Sequence, residues 1–189
     1  RGLESLQANN PAGADAAFVQ SAKEGNGAYE ALALQHRAGL ALQQNNVTEA
    51  AELFDQAARA SRDPIVSDIA ALKAAWLVMD TASLEDITKR LEPLTGDKRP
   101  YRAFAREALA LAQLQHGKTA EAREALVVLK NSLDTPEMVS QRADLALASI
   151  DSGTADNLAA IVREAGAAEA APARAQPAAP AAAPAAPAA

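Results

Sequence analysis

Cysteine is absent from the 189 residues. That excludes disulfides and thiolate metal sites, and it selects no compartment, because a cysteine-free chain suits oxidising and reducing surroundings alike. Aromatic residues make up only 3% and β-branched residues form few runs, which argues against a sheet. No stretch of about 18 or more consecutive apolar residues occurs, so no transmembrane helix is expected within the chain. Lysine and arginine never cluster, and the formal net charge is −6; a nucleic-acid footprint and a polybasic membrane patch are both disfavoured. The phosphate-cradling patterns G-x-x-x-x-G-K-[ST] and G-x-G-x-x-G are missing as well.

What is plentiful is alanine, the strongest helix former, and a repeat. Tyr29 to Pro64 reads as two helices. In the first, Leu34, Ala38, Ala41 and Leu42 recur at helical spacing. Asn45-Asn46 breaks it. In the second, Thr48 to Ala60, one face carries Ala50, Leu53, Phe54 and Ala57. Asp63-Pro64 closes the unit, since proline is tolerated at a first helical position and aspartate accepts the free N–H groups there. Shifting the unit by its own 36 residues tests for repetition. Pro64 lands on Pro100 and then Pro136. Asn45 lands on Asn9 and, two repeats on, on Gly117. Ala50 lands on Ala14 and Ala122, Phe54 on Phe18 and Leu126, and Tyr29 on Tyr101. The third copy is weak: Asp86 and Arg90 fall where alanine and phenylalanine belong, while Ile87 and Leu91 fit if that helix shifts by one residue.

The chain in order then predicts an all-α, tetratricopeptide-like right-handed α-solenoid over residues 1–166, with a period of about 36 residues. Residues 2–8 read as the end of a helix in a truncated first repeat. Ala12 to Glu24 follows a turn at Asn9-Asn10-Pro11 and ends at Gly25-Asn26-Gly27. Pro64 to about Asp80 is the most apolar helix, with Ile65, Val66, Ile69, Leu72, Trp76, Leu77 and Met79; it is expected to lie buried, Trp76 included. Ser83 to Asp86 reads as a capping box. Pro100 is expected to open a long helix ending at His116-Gly117, followed by Thr119 to about Ser132. Thr135-Pro136 is expected to cap a helix running to about Asp151. Thr154 to Ala165, with Leu158, Ile161 and Val162 on one face, reads as a terminal cap helix. Residues 167–189 are almost wholly alanine and proline. Repeated proline forbids a continuous helix and alanine methyls bury too little surface to offset chain entropy, so a disordered, partly polyproline-II tail is expected.

Stacked helix pairs make a face suited to holding a protein partner. By tetratricopeptide-type geometry the first helix of each pair lines it, and the side chains expected there are Gln35, Gly39, Gln43, Ala71, Ala75, Glu107, Leu111 and Gln115. That face is small, apolar and amide-bearing. It lacks a lysine and asparagine set that would clamp a C-terminal carboxylate. Catalysis finds no support. His36 and His116 lie in different helices, without acidic neighbours one turn away, whereas a metal site needs about three convergent ligands. Glu49/Glu52 and Glu121/Glu124 place carboxylates one turn apart without an accompanying E-x-x-H, and read as solvated faces. No nucleophile–base–orienter set occurs. No cofactor and no metal are expected, and the chain reads as a non-enzyme.

The blocks G-A-Y-E-A-L-A (27–33), R-A-G-L-A-L (37–42), D-I-A-A-L-K-A-A-W-L-V-M-D-T-A-S (68–83), R-L-E-P-L (90–94), A-R-E-A-L-A-L-A (105–112) and S-Q-R-A-D (140–144) resemble the YfgM-type tetratricopeptide-like family in its alphaproteobacterial form. The similarity covers about residues 2–151. It implies the soluble part of a protein with a cytoplasmic segment, one inner-membrane anchor preceding Arg1 and a periplasmic repeat domain. The partners it implies are the protein-translocation channel and a membrane-anchored periplasmic chaperone, with an adaptor role for newly exported proteins. The family offers no catalytic residues to carry over, and the Ala/Pro tail is not one of its features. The alternative is a structural spacer or a self-associating solenoid of the cell envelope.

Overall fold

The computed structural model describes residues 1–157, and these contain helices and no strand. The helices are α1 (Gly2–Gln7), α2 (Pro11–Glu24), α3 (Ala28–Gln43), α4 (Val47–Ala60), α5 (Pro64–Val78), α6 (Leu84–Leu91), α7 (Arg102–Gln115), α8 (Thr119–Asn131) and α9 (Glu137–Asp151), with short 3-10 turns at Glu92–Leu94 and Thr154–Asn157. Each helix packs on the next in chain order, from α1 on α2 to α8 on α9. In addition α3 touches α5, α5 touches α7 and α7 touches α9. This is an arrangement consistent with an α-solenoid.

Local chemistry explains the boundaries. Asn10 caps α2, its Oδ1 accepting the Gly13 N–H at 2.9 Å, and Pro11 occupies the first helical position. One period later Asn46 caps α4 in the same way, accepting from the Glu49 N–H, while its amide donates to Glu49 Oε2 at 2.7 Å. Asp63 Oδ1 accepts the Ile65 N–H at 2.9 Å ahead of Pro64. The tight turns show the same register. Asn9, Asn45, Gly117 and Gly153 all have φ between 54° and 75°, the left-handed region that asparagine and glycine enter most readily. They occupy one position of the 36-residue period. Its third-copy equivalent is Thr81, a β-branched residue that resists this conformation, and there the turn is built differently: Ser83 caps α6, accepting the Asp86 N–H at 3.1 Å and donating to Asp86 Oδ2 at 2.7 Å. The cap is thus a hydroxyl–carboxylate pair rather than two reciprocal bonds to backbone donors.

The core runs along the stack in overlapping clusters. One joins α3, α4 and α5 through Leu34, Leu53, Phe54 and Ala70. The next joins α5, α6 and α7 through Leu72, Met79, Ile87, Leu91 and Ala108. A third joins α7, α8 and α9 through Ala110, Leu126, Leu129, Val139 and Leu147. Each is centred on an even-numbered helix sandwiched between two odd-numbered ones. Many contact positions are fully buried alanines, among them Ala31, Ala38, Ala50, Ala57 and Ala105. Ile87 and Leu91 are fully buried, as the one-residue shift in the weak copy requires, and Arg90 turns outward to pair with both carboxylate oxygens of Asp55 on α4.

Three expectations are corrected. Trp76 is not core: it is 43% exposed, and Ile65 at the start of the same helix is exposed too. α5 is apolar on every side, so its periodicity selects no face for the indole. Pro100 does not open α7, which begins at Arg102 after Tyr101; Arg99 is held in a turn, its N–H donating to Gly96 O at 2.9 Å. Pro136 is itself the residue flanking α9, with no side-chain cap from Thr135. The expected terminal helix over 154–165 is described only through its opening turn; the rest of it and the expected tail over 167–189 lie outside the described residues.

Candidate partner-binding face

The eight residues expected to face a partner all fall on odd-numbered helices: Gln35, Gly39 and Gln43 on α3, Ala71 and Ala75 on α5, and Glu107, Leu111 and Gln115 on α7. They fall in three helical rows: 35, 71 and 107 are one period apart, as are 39, 75 and 111, and 43 and 115 are two periods apart. Gln43 is exposed, Gln35, Gly39, Ala71, Leu111 and Gln115 are half-buried, and Ala75 and Glu107 are buried. A Cβ added at Gly39 would meet nothing within 4 Å, so this glycine leaves an open notch in the row.

Three of the four polar members are engaged with the neighbouring repeat. Lys73 Nζ donates to Gln35 Oε1 at 3.4 Å, tying α5 to α3, and the same ammonium lies 5.3 Å from the Phe54 ring centroid. Gln115 Nε2 donates to Asp80 Oδ1 at 3.1 Å. Glu107 is 2% exposed and receives a bidentate clamp from Arg142 on α9, Nε to Oε1 at 2.5 Å and the terminal nitrogen to Oε2 at 2.6 Å. The carboxylate holds the guanidinium above its ordinary pKa by hydrogen bonding. A carboxylate so enclosed is a clamp between repeats rather than a free acceptor for a ligand. The face that remains open is apolar and amide-bearing: Gln43, the Gly39 notch and Leu111.

Arg142, Lys73 and Asp80 were not singled out from the sequence, yet a signal exists. Glu107 and Arg142, Asp80 and Gln115, and Asp55 and Arg90 are all separated by 35 residues. In these three pairs a side chain reaches the adjoining repeat at one less than the period, while Lys73 and Gln35 meet at a separation of 38. The exposed apolar residues Tyr29, Leu32 and Trp76 on odd-numbered helices are also absent from the eight; of these Trp76 is expected in the core from its apolar neighbours.

His36 and His116 are far from acting together. His36 is exposed and stacks on Phe18, centroids 4.7 Å apart. His116 Nδ1 lies 2.9 Å from the Ala112 carbonyl oxygen at the end of α7. Among the described residues no group of three or more histidine, aspartate or glutamate side chains is placed to hold a metal ion, and no helix is long and apolar enough to cross a membrane. Glu49, Glu52, Glu121 and Glu124 are exposed. Against protein-family models, curated proteins and solved structures alike, the chain finds no match.

Proposed function

We propose that the chain is a tetratricopeptide-like right-handed α-solenoid that serves as a non-enzymatic protein–protein interaction scaffold, ancillary to protein translocation and periplasmic chaperone function at the inner membrane. The observation that carries the reading is the succession of contacts from α3 to α5 to α7 to α9. It makes the odd-numbered helices one continuous face, on which Gln43, Gly39 and Leu111 stay open while Lys73 and Arg142 are engaged with Gln35 and Glu107. Such a face suits an extended segment or helix of another protein and offers no set of groups for bond-breaking chemistry. The translocation channel and a membrane-anchored periplasmic chaperone are the partners that the family resemblance supplies, and it supplies the inner-membrane location too.

Site-specific photo-crosslinking in native membranes tests this, using the natural full-length protein with probes at Gln43 and Leu111 and a control at the exposed Glu124 on α8. Crosslinks from the first two to channel or chaperone subunits, absent from the control, are the expected result. Crosslinks only to the protein itself would favour the second reading, a self-associating solenoid or spacer of the envelope. One observation speaks for that reading: large apolar side chains stand exposed along the described residues, among them Leu3, Tyr29, Ile65, Val128, Leu133 and Leu145. Concentration-dependent sedimentation with no partner recovered would decide in its favour.

A further inference from the structure

α2 and α4 both pack on α3 and leave a groove between them whose floor is α3. It holds two cavities, ≈ 630 Å³ at one end and ≈ 330 Å³ at the other, and Arg37 lines both. One face of each wall supplies the lining: α2 contributes Asp15, Val19 and Lys23, and α4 contributes Glu49, Gln56 and Arg59. In the middle Arg37 Nε donates to Asp15 Oδ1 at 2.9 Å, so these two charges are engaged. The ends differ in sign. At the larger cavity Lys23 and Arg59 stand exposed on the two walls, each in the last turn of its helix. Among the described residues neither has a carboxylate within ion-pair distance. Glu30 lines the same cavity, half-buried in the first turn of α3, where the helix dipole favours a carboxylate. At the smaller cavity Glu49 is exposed and accepts from the Asn46 amide. Cations without a partner stand out on a chain of net charge −6, because Arg90, Arg99, Arg102, Arg106, Arg123 and Arg142 are each held by an aspartate or glutamate. Lys23 and Arg59 are also one period apart, and the same position later holds Thr95 and Asn131. The pair of cations therefore belongs to this groove and not to its later equivalents.

We propose that this groove docks an extended acidic segment of a protein partner, with carboxylates at Lys23 and Arg59 and a basic end toward Glu49. Charge complementarity at the two ends sets the direction of the segment. The half-buried Val19, Ala22 and Ala60 offer apolar surface beside the cations. The floor from Glu30 to Gln44 is about 20 Å long at the helical rise, which matches roughly six extended residues. The cations flank a recess rather than crown a plane, which suits a carboxylate-bearing chain better than a lipid surface. The proposal rests on the reading of the chain as a partner-binding scaffold, but it uses a different side of α3 from Gln35, Gly39 and Gln43.

The test titrates a blocked hexapeptide into the isotope-labelled full chain. The peptide carries two glutamates at one end, a lysine at the other and leucine and alanine between, and it is made in both sequence orders. Saturable chemical-shift changes at Val19, Lys23, Leu34, Arg37 and Arg59 are expected from one order. A control with glutamine in place of glutamate should bind about fivefold more weakly or not at all. Lys23→Glu/Arg59→Glu protein should bind the acidic peptide about tenfold more weakly or worse. Lys23→Gln/Arg59→Gln, which sets no carboxylate against a helix C-terminus, should fall between. Both side chains are exposed, so a melting temperature close to the parent's confirms that each variant folds. No shifts up to roughly 1 mM peptide, equal binding of the glutamine control, or an affinity unmoved by either double variant would overturn the proposal. So would co-sedimentation with phosphatidylglycerol vesicles that both variants abolish, without any peptide shift; the cations would then belong to a lipid surface. The same shifts on raising protein concentration alone would make a second copy the occupant and would also overturn it. Loss of crosslinks from Gln43 and Leu111 with peptide binding intact would sink the function proposed above and leave the groove standing; the reverse result would sink only the groove.

Discussion

At the scale of single residues the molecule distinguishes side chains that fill space from those that hold charge. Phe54 is 5% exposed between α3, α4 and the neighbouring turn of α5. Truncation to alanine removes most of its packing and leaves a void, so Phe54→Ala is expected to cost about 3–5 kcal/mol in urea unfolding. Glu107 presents the opposite problem. Its carboxylate is buried and satisfied by one guanidinium. Arg142→Ala would strand that charge, which costs roughly 3–5 kcal/mol when a buried pair loses one member; Glu107→Gln on the Arg142→Ala background should recover part of the loss. Failure to recover would mean that Arg142 acts through its packing. Asp134 is held down to a pKa of about 2, first by the Ser132 hydroxyl and then by Arg102. Its folded pKa lies below the ordinary value of 3.8, so its contribution to stability is present above that value and disappears as pH falls through about 2. A carboxyl-carbon titration should place the Asp134 midpoint near 2; a midpoint near 4 would show the contacts with Ser132 and Arg102 to be absent in solution.

At the scale of elements, legibility followed from how local each signal is. Asp63-Pro64 and Asn10-Pro11 set helix starts by contacts within three residues; the first was readable as a cap, whereas the second reads from sequence only as a turn ahead of Ala12. Pro100 carries the same letter, but its helix start is governed by the Gly96–Arg99 turn, and Arg99 reaches Asp68 on α5. No reading of neighbours in sequence contains that contact. Trp76 was misplaced for a related reason: α5 is apolar all round, and only the packing of α4 and α6 decides which side faces out. The left-handed turns were legible as a period before they were visible as dihedral angles. They also yield a sharp expectation. Gly117, at φ +75° with nothing within 4 Å of an added Cβ, should lose about 1 kcal/mol on substitution by alanine, because backbone strain alone is introduced. At Asn45, replacement by glycine should be neutral or slightly stabilising. Equal losses at both sites in thermal melts would show that the turns are not conformationally equivalent.

At the scale of the whole molecule the architecture was legible and the site only in outline. The period of 36 places the eight candidate residues on one set of helices, but the engagement of Gln35, Glu107 and Gln115 depends on cross-repeat partners 35 or 38 residues away. The same construction predicts where stability is lowest. α6 has only eight residues and follows the one interior turn at that position of the period that lacks a left-handed residue. Its amides are expected to exchange with solvent faster than those of α4 and α8 in native-state hydrogen exchange. Uniform protection across the three helices would contradict that. The pattern of contacts has one more consequence. Among the described residues the main helix contacts reach no more than two elements away, so a load applied at the two ends passes through the interfaces in series, as in a coil spring. Small slips at each interface add along the stack, and the span between its ends can lengthen or shorten while every helix keeps its own hydrogen bonds.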